Sequence, residues 1–219
     1  TLDSIPRASS VSAGNMTLGS VGKINISRAS SSFTHTLTYS FGNTSGTIAT
    51  KTTATSVSWT PALSLASQIP NAISGTCTIT CTTYNGNTNI GSKTCTFSLS
   101  VPASVKPTIS SLSASRIDGE VPSTWGLYVQ TKSKVKLTIN GAAGSYGSTI
   151  KSYSITGGGY SGSASTLTTG FLNNSGTITF KATVTDSRGR VSAEASVSIT
   201  VTAYSPPYFN SSLSQRCLS

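Results

Sequence analysis

The stretch 74-SGTCTITCTTYNGNTNIGSKTCTFSLSV-101 decides the fold. Cys77, Ile79 and Cys81 alternate with threonines, and Cys95, Phe97, Leu99 and Val101 alternate with threonine and serine. Period-two alternation sets each apolar series on one face of a strand. Asn85-Gly86-Asn87 between them supplies residues that tolerate positive φ, so the two runs are expected to pair as a hairpin. Cys95 then falls opposite either Cys77 or Cys81, depending on register. Pro102 and Pro107 stop the second strand, because proline cannot donate to a ladder. Beyond them the strand pattern starts afresh, so one domain is expected to end here and another to begin.

Working back from the hairpin, Phe33, His35, Leu37, Tyr39 and Phe41 alternate with Thr34, Thr36, Thr38 and Ser40. Ile24 and Ile26 mark an earlier strand, and Val57 and Trp59 a later one ended by Pro61. LSLASQIPN is the one stretch resembling a helical turn, stopped by Pro70. Residues 1–19 read as an extended lead-in strand or arm. Working forward, Leu127 and Val129, then Val135, Leu137 and Ile139, share one parity, while Lys132, Lys134 and Lys136 take the other. Ile178, Phe180, Ala182 and Val184 alternate next, Asp186-Ser187-Arg188-Gly189-Arg190 forms a hairpin tip, and Val197, Ile199 and Val201 make the last strand. Each half therefore holds about seven short strands, the pattern of an immunoglobulin-like or fibronectin type III-like sandwich. The expected fold is all-β, with sandwiches over 1–105 (N-terminal arm included) and 106–205. Residues 206–219 read as the start of a further segment.

Composition narrows the function. Charged residues are 9% of the 219, against about 25% in ordinary domains. The net charge of +10 comes from 15 Lys and Arg against 5 Asp and Glu. Such a balance favours anionic polymers, either nucleic acid or the acidic polymers of a cell wall. No Lys/Arg-rich run with interleaved aromatics is present, so nucleic acid stays the lesser option. TLDSIPRASS shows no signal-peptide pattern, and no apolar run is long enough to span a membrane. The cysteines, Cys77, Cys81, Cys95 and Cys217, lack a Cys-x2-Cys knuckle or a neighbouring histidine. The first three read as thiols filling core volume rather than as a metal site.

Catalysis is poorly provided for. His35 is the only histidine and shares its parity with apolar neighbours, the place of a hydrogen-bonded core residue. Asp118 and Glu120 are the only close acid pair, in a glycine-containing turn where acids are common. No catalytic residue, cofactor or metal is therefore expected. A binding surface is better supplied: Trp125, Tyr146 and Tyr160 lie near loops and can stack on sugar rings, or cap the two cores. The Lys132/Lys134/Lys136 row reads as an edge-protecting device, or as a contact for a wall polymer.

Several phrases carry a resemblance: TLDSIPRAS at the start, SVSWTP…LASQIPNA…GTCTITCTTYNG over 56–86, KLTINGAAGSYGSTIKSYSITGGG over 136–159, and TDSRGR…YSPP over 185–207. Together they resemble the minor structural (tail) proteins of siphophages and prophages of Gram-positive bacteria. The resemblance implies a virion component of the tail or tail tip, a spacer or adhesion module with no active site to transfer. It implies partners among other virion tail proteins, a host cell-wall glycan or anionic wall polymer, and a homo-oligomer in the virion. Two other readings remain open: a bacterial surface adhesin with tandem immunoglobulin-like repeats, and a carbohydrate-binding accessory module.

Overall fold

The computed structural model describes residues 7–117 and 119–208. Asp3, Asp118, Cys217 and most of the expected segment 206–219 lie outside the described residues. The chain divides into two compact units that interleave in sequence. The first runs to Thr108 and adds Ala143–Lys151 and Thr185–Ser192; the second takes Ile109–Ala142, Ser152–Val184 and the chain from Ala193.

The first unit contains β1 (Ser10–Ala13), β2 (Met16–Thr17), β3 (Gly22–Ser27), β4 (Phe33–Phe41), β5 (Thr44–Thr52), β6 (Ser56–Trp59), β7 (Ser74–Asn85) and β8 (Thr88–Ser100). A 3-10 turn, η1 (Leu63–Gln68), lies between β6 and β7. The strands form two sheets in the orders β1-β3-β6 and β2-β8-β7-β4-β5. The described part of the lead-in is therefore built into the sandwich. Val11 pairs with Ile26 in one sheet, and Met16 pairs in parallel with Leu99 in the other.

The second unit contains β9 (Ser111–Ile117), β10 (Tyr128–Val129), β11 (Lys134–Asn140), most of β12 (Ile150–Gly157), β13 (Tyr160–Gly162), β14 (Thr166–Thr168), most of β15 (Gly176–Asp186) and β16 (Ala195–Thr202). A short 3-10 turn, η2 (Ser123–Trp125), precedes β10. Its sheets are β14-β11-β9 and β10-β16-β15-β12-β13. Adding eight to each strand number of the first unit reproduces the second unit's strand order in both sheets. The parallel contact recurs as well, with β2 on β8 in one unit and β10 on β16 in the other. The chain is thus all-β, two consecutive immunoglobulin-like, fibronectin type III-like sandwiches of the same topology. Among the described residues each has eight strands rather than about seven, because the first strand splits between the two sheets.

Register in the first unit depends on a bulge. The β7–β8 hairpin closes with Asn85 opposite Thr88 around Gly86 and Asn87. Continued without interruption, that register would set Cys95 opposite Thr78 and turn Cys95, Phe97 and Leu99 to the outer face. Between Tyr84↔Asn89 and Thr83↔Gly91, however, the ladder skips Ile90. One extra residue restores the phase, and Gly91 takes φ +125 to make it. Cys95 consequently faces Ile79, between Cys77 (opposite Phe97) and Cys81 (opposite Lys93). Neither expected Cys–Cys pairing forms, since Cys95 lies opposite Ile79, two residues from each alternative. Cys77, Cys81 and Cys95 are free thiols, the first two buried in the core with Leu37, Phe41, Ile79, Phe97 and Leu99. Tyr39 meets Trp59 from the opposite sheet, ring centroids 5.0 Å apart.

The outer face of the same five-stranded sheet is a hydroxyl lattice. Thr47, Thr38, Thr80 and Thr94 align across β5, β4, β7 and β8; Ser45, Ser40, Thr78 and Thr96 form the next row. Threonine has a β-branched side chain that suits a pleated surface. The strands thereby gain propensity on their wet face without charge, which explains how so few ionised residues suffice.

In the second unit, β11 and β15 supply the core through Val135, Leu137, Ile139, Ile178, Phe180, Ala182 and Val184. Gly157 turns β12 into its hairpin at φ +147, where a Cβ would lie 2.6 Å from the Thr179 carbonyl oxygen. No larger residue fits that close approach.

Candidate functional site

The lysine series is not a strand row. Lys134 and Lys136 lie on β11, but Lys132 lies in the turn before it. Nor is β11 an edge: it is the central strand between β9 and β14. The expectation of an edge-protecting device is corrected accordingly. Parity ran through the turn because Thr131 reverses the chain at φ +61, a costly conformation for a β-branched residue. Several hydrogen bonds hold that turn. The Val129 amide donates to Ser133 Oγ at 2.9 Å, and the Ser133 amide returns to the Val129 carbonyl at 2.9 Å. The Thr131 amide reaches the Leu172 carbonyl at 2.8 Å, and the Leu172 amide reaches the Ser133 carbonyl at 2.9 Å.

This bracing sets the turn against the loop carrying Phe171, an exposed ring. Lys134 Nζ stands 4.7 Å from the Phe171 ring centroid, and the Tyr160 hydroxyl donates to the Phe171 carbonyl. Lys132 pairs with Glu120 and lies 5.6 Å from the Tyr204 ring centroid. The Glu120 carboxylate raises the pKa of the Lys132 ammonium through its hydrogen bond and charge. Lys134 and Tyr160 therefore meet at Phe171, and Lys132 lies beside Tyr204. Lys136 is exposed on β11 opposite Thr168 and Ser115. Such a surface offers ring faces to stack on and ammonium groups to meet anions.

Trp125 is no core cap: it is 62% exposed. Arg116 steadies the η2 turn, donating to the Ser123 carbonyl at 2.8 Å and the Leu127 carbonyl at 2.7 Å. Gly126 follows at φ +64. Tyr146 belongs to the first unit, 40% exposed on a backbone at φ +48. Phe171 and Tyr204 went unnoticed in the sequence because neither lies in an alternating run; Gly170 and Asn173-Asn174 around Phe171 are the only local signal of a loop.

The expected hairpin tip at Asp186–Arg190 is a turn, but one with Asp186 and Arg188 buried and Gly189 exposed. Asp186 is fully buried, and its Oδ1 accepts the amides of Arg188 at 3.0 Å and Arg190 at 2.9 Å. The Arg188 guanidinium donates to the carbonyls of Ala66 (2.8 Å), Ser145 (2.7 Å), Tyr146 (2.9 Å) and Ile69 (3.3 Å). Arg190 caps the carbonyls of Val101 (2.6 Å) and Pro102. Burial lowers the Arg188 pKa, with Asp186 opposing and the Arg190 charge adding to the shift. These arginines hold together backbone carbonyls of the first unit that no strand satisfies.

His35 is buried; its Nε2 shares a 2.8 Å hydrogen bond with Ser9 Oγ, and its Nδ1 has no partner among the described residues. Among the described residues no group of three or more His, Cys, Asp and Glu gathers to hold a metal. No helix among them is long and apolar enough to cross a membrane.

Against this geometry, comparison finds that the family described as "Siphovirus protein of unknown function (DUF859)" matches residues 1–217. No curated protein matches the sequence. Among solved structures, the fibronectin(III)-like modules of Clostridium thermocellum CbhA align at 15% identity and TM-score 0.36, over 92% of this chain and 100% of theirs. The FN1–FN3 domains of chicken CNTN1 align at 10% identity and TM-score 0.33, covering 89% and 66%. Three N-terminal domains of the bacteriophage RB49 highly immunogenic outer capsid protein align at 12% identity and TM-score 0.28, covering 90% and 58%.

Proposed function

The chain belongs to the siphovirus protein family matched over residues 1–217, and on that premise we propose that it is a non-catalytic structural component of the virion. Its place is the tail or tail tip, where it acts as a spacer or adhesion module toward the host surface. Other tail proteins are its assembly partners, and a cell-wall glycan or anionic wall polymer is its ligand. The observation that carries the adhesive half is the braced Thr131 turn, which spends strain to hold Lys132 and Lys134 beside exposed Phe171 and Tyr204. A surface that only needed solubility would leave these groups mobile. Individual contacts of this kind are weak, so adhesion comes from several copies on one particle.

Co-sedimentation of the purified chain with Gram-positive cells at low and high salt tests the reading. Binding that survives salt and falls on Phe171→Ala or Trp125→Ala supports a glycan surface. Binding that salt abolishes supports an anionic wall polymer met by the +10 charge. No binding at either salt overturns adhesion and leaves the spacer role.

A further inference from the structure

The first unit has a second surface of a different kind. Every described charged residue in it is Lys or Arg except Asp186. That single carboxylate is turned inward onto backbone amides, so it forms no ion pair with a guanidinium. Arg188 and Arg190 bond only neutral carbonyls. Carbonyl dipoles satisfy their N–H groups, and the single Asp186 charge, felt at Arg188, leaves positive charge in excess over Arg188, Arg190 and Lys106. Both arginines line a groove of ≈ 480 Å³ together with Lys106, Ala103, Gly189, Ile73 and Val191. The Lys106 ammonium makes no bond among the described residues, and Ile73 and Val191 are 54% and 48% exposed. Aliphatic side chains this open, beside an excess of positive charge, leave both an apolar and an anionic requirement unmet.

We propose that this groove binds an acidic peptide, with a carboxylate against its cations and an aliphatic neighbour against Ile73 and Val191. The free Lys106 ammonium meets the carboxylate as a point charge, while Gly189 carries no side chain and lets a peptide backbone approach. A phosphate polymer fits less well, since it brings no aliphatic group to set against exposed Ile73 and Val191. The proposal stands apart from the adhesion reading, which concerns other residues.

The test is amide NMR of the full chain titrated at low salt with acetyl-Val-Glu-Val-amide, its Gln analogue, and inorganic phosphate. The expected result is saturable shifts at Ala103, Gly189 and Val191 for the Glu peptide, with affinity about fivefold weaker for the Gln analogue. The exposed Lys106→Gln substitution is expected to weaken the Glu peptide about as much, with the rest of the spectrum unchanged. Equal affinity for the two peptides overturns the proposal. So does a phosphate response at the same amides of equal strength, an unaffected Lys106→Gln variant, or no saturable shift by about 20 mM peptide.

Discussion

Arg188 Nη2 donates to the Ala66 carbonyl at 2.8 Å, joining residues 122 apart in sequence. The same guanidinium holds three further carbonyls; its removal leaves the Tyr146 carbonyl without a donor and takes the side-chain donor from Ile69, Ser145 and Ala66, each of which keeps a backbone one. Arg188→Ala is expected to destabilise the first unit by about 1–3 kcal/mol, the cost of leaving one acceptor unsatisfied. Arg188→Lys should recover little, because an ammonium cannot reproduce the planar fork. Urea unfolding followed by Trp59 fluorescence measures both; a loss below about 0.5 kcal/mol, the ordinary surface value, contradicts the role.

The bulge at Ile90 predicts an unusual sensitivity to deletion. Loops normally tolerate a lost residue, yet removing Ile90 would put Cys95, Phe97 and Leu99 on the wrong face. The deletion variant is expected to lose the first unit's cooperative unfolding transition. Gly91→Ala retains the register but forces φ +125 on an alanine and presses on Ala8 at 3.3 Å, costing about 1–2 kcal/mol. Circular dichroism melts distinguish the two; a deletion variant that melts like the parent refutes the register argument.

The thiols give a pH signature. Burial, with the neighbouring Cys95 charge adding, pushes Cys77 up to about 11 from 9.0, and burial also raises Cys81 and Cys95. Above pH 9.0 the unfolded thiols shed protons that the folded protein retains, so the unfolded state binds fewer protons and stability falls as pH rises through that window. In a Cys217→Ser background, native protein at pH 8 is expected to react slowly with a thiol reagent and to reveal three free thiols on unfolding. A disulfide between any two of Cys77, Cys81 and Cys95 would contradict this.

His35 acts at the other end of the scale. Burial, with the Arg28 charge adding, lowers its pKa below 6.5, against an opposing pull from the Thr52 backbone. Stability from the neutral ring is present above 6.5 and is lost as pH falls through the folded-state value. Denaturant titrations from pH 7 to pH 5 should show this decline, smaller in His35→Gln. A decline of the same size in both proteins would assign it to other groups.

Alternating residues made the sandwiches legible. Strand β4 reads inside and outside residue by residue, and β7, β8, β11 and β15 do the same. Register was not legible, because an inserted residue at Ile90 looks like any other strand residue until its partner strand is known. The lysines misled for a related reason: alternation continued in sequence through Thr131, where the backbone had left the strand. Arg188 was hidden because arginine is rarely buried and its acceptors come from Ala66, Ile69, Ser145 and Tyr146, none of them near it in sequence. Trp125 was legible as a loop aromatic, whereas its exposure depends on Arg116 holding the turn from β9.

The place we propose for this protein is the virion tail. Immunogold electron microscopy of gradient-purified siphovirus particles, with mass spectrometry of the same fraction, tests it directly. The account predicts that the protein co-purifies with particles in several copies and that gold marks the tail or its tip. Its presence in infected-cell lysate but absence from purified particles would contradict the account.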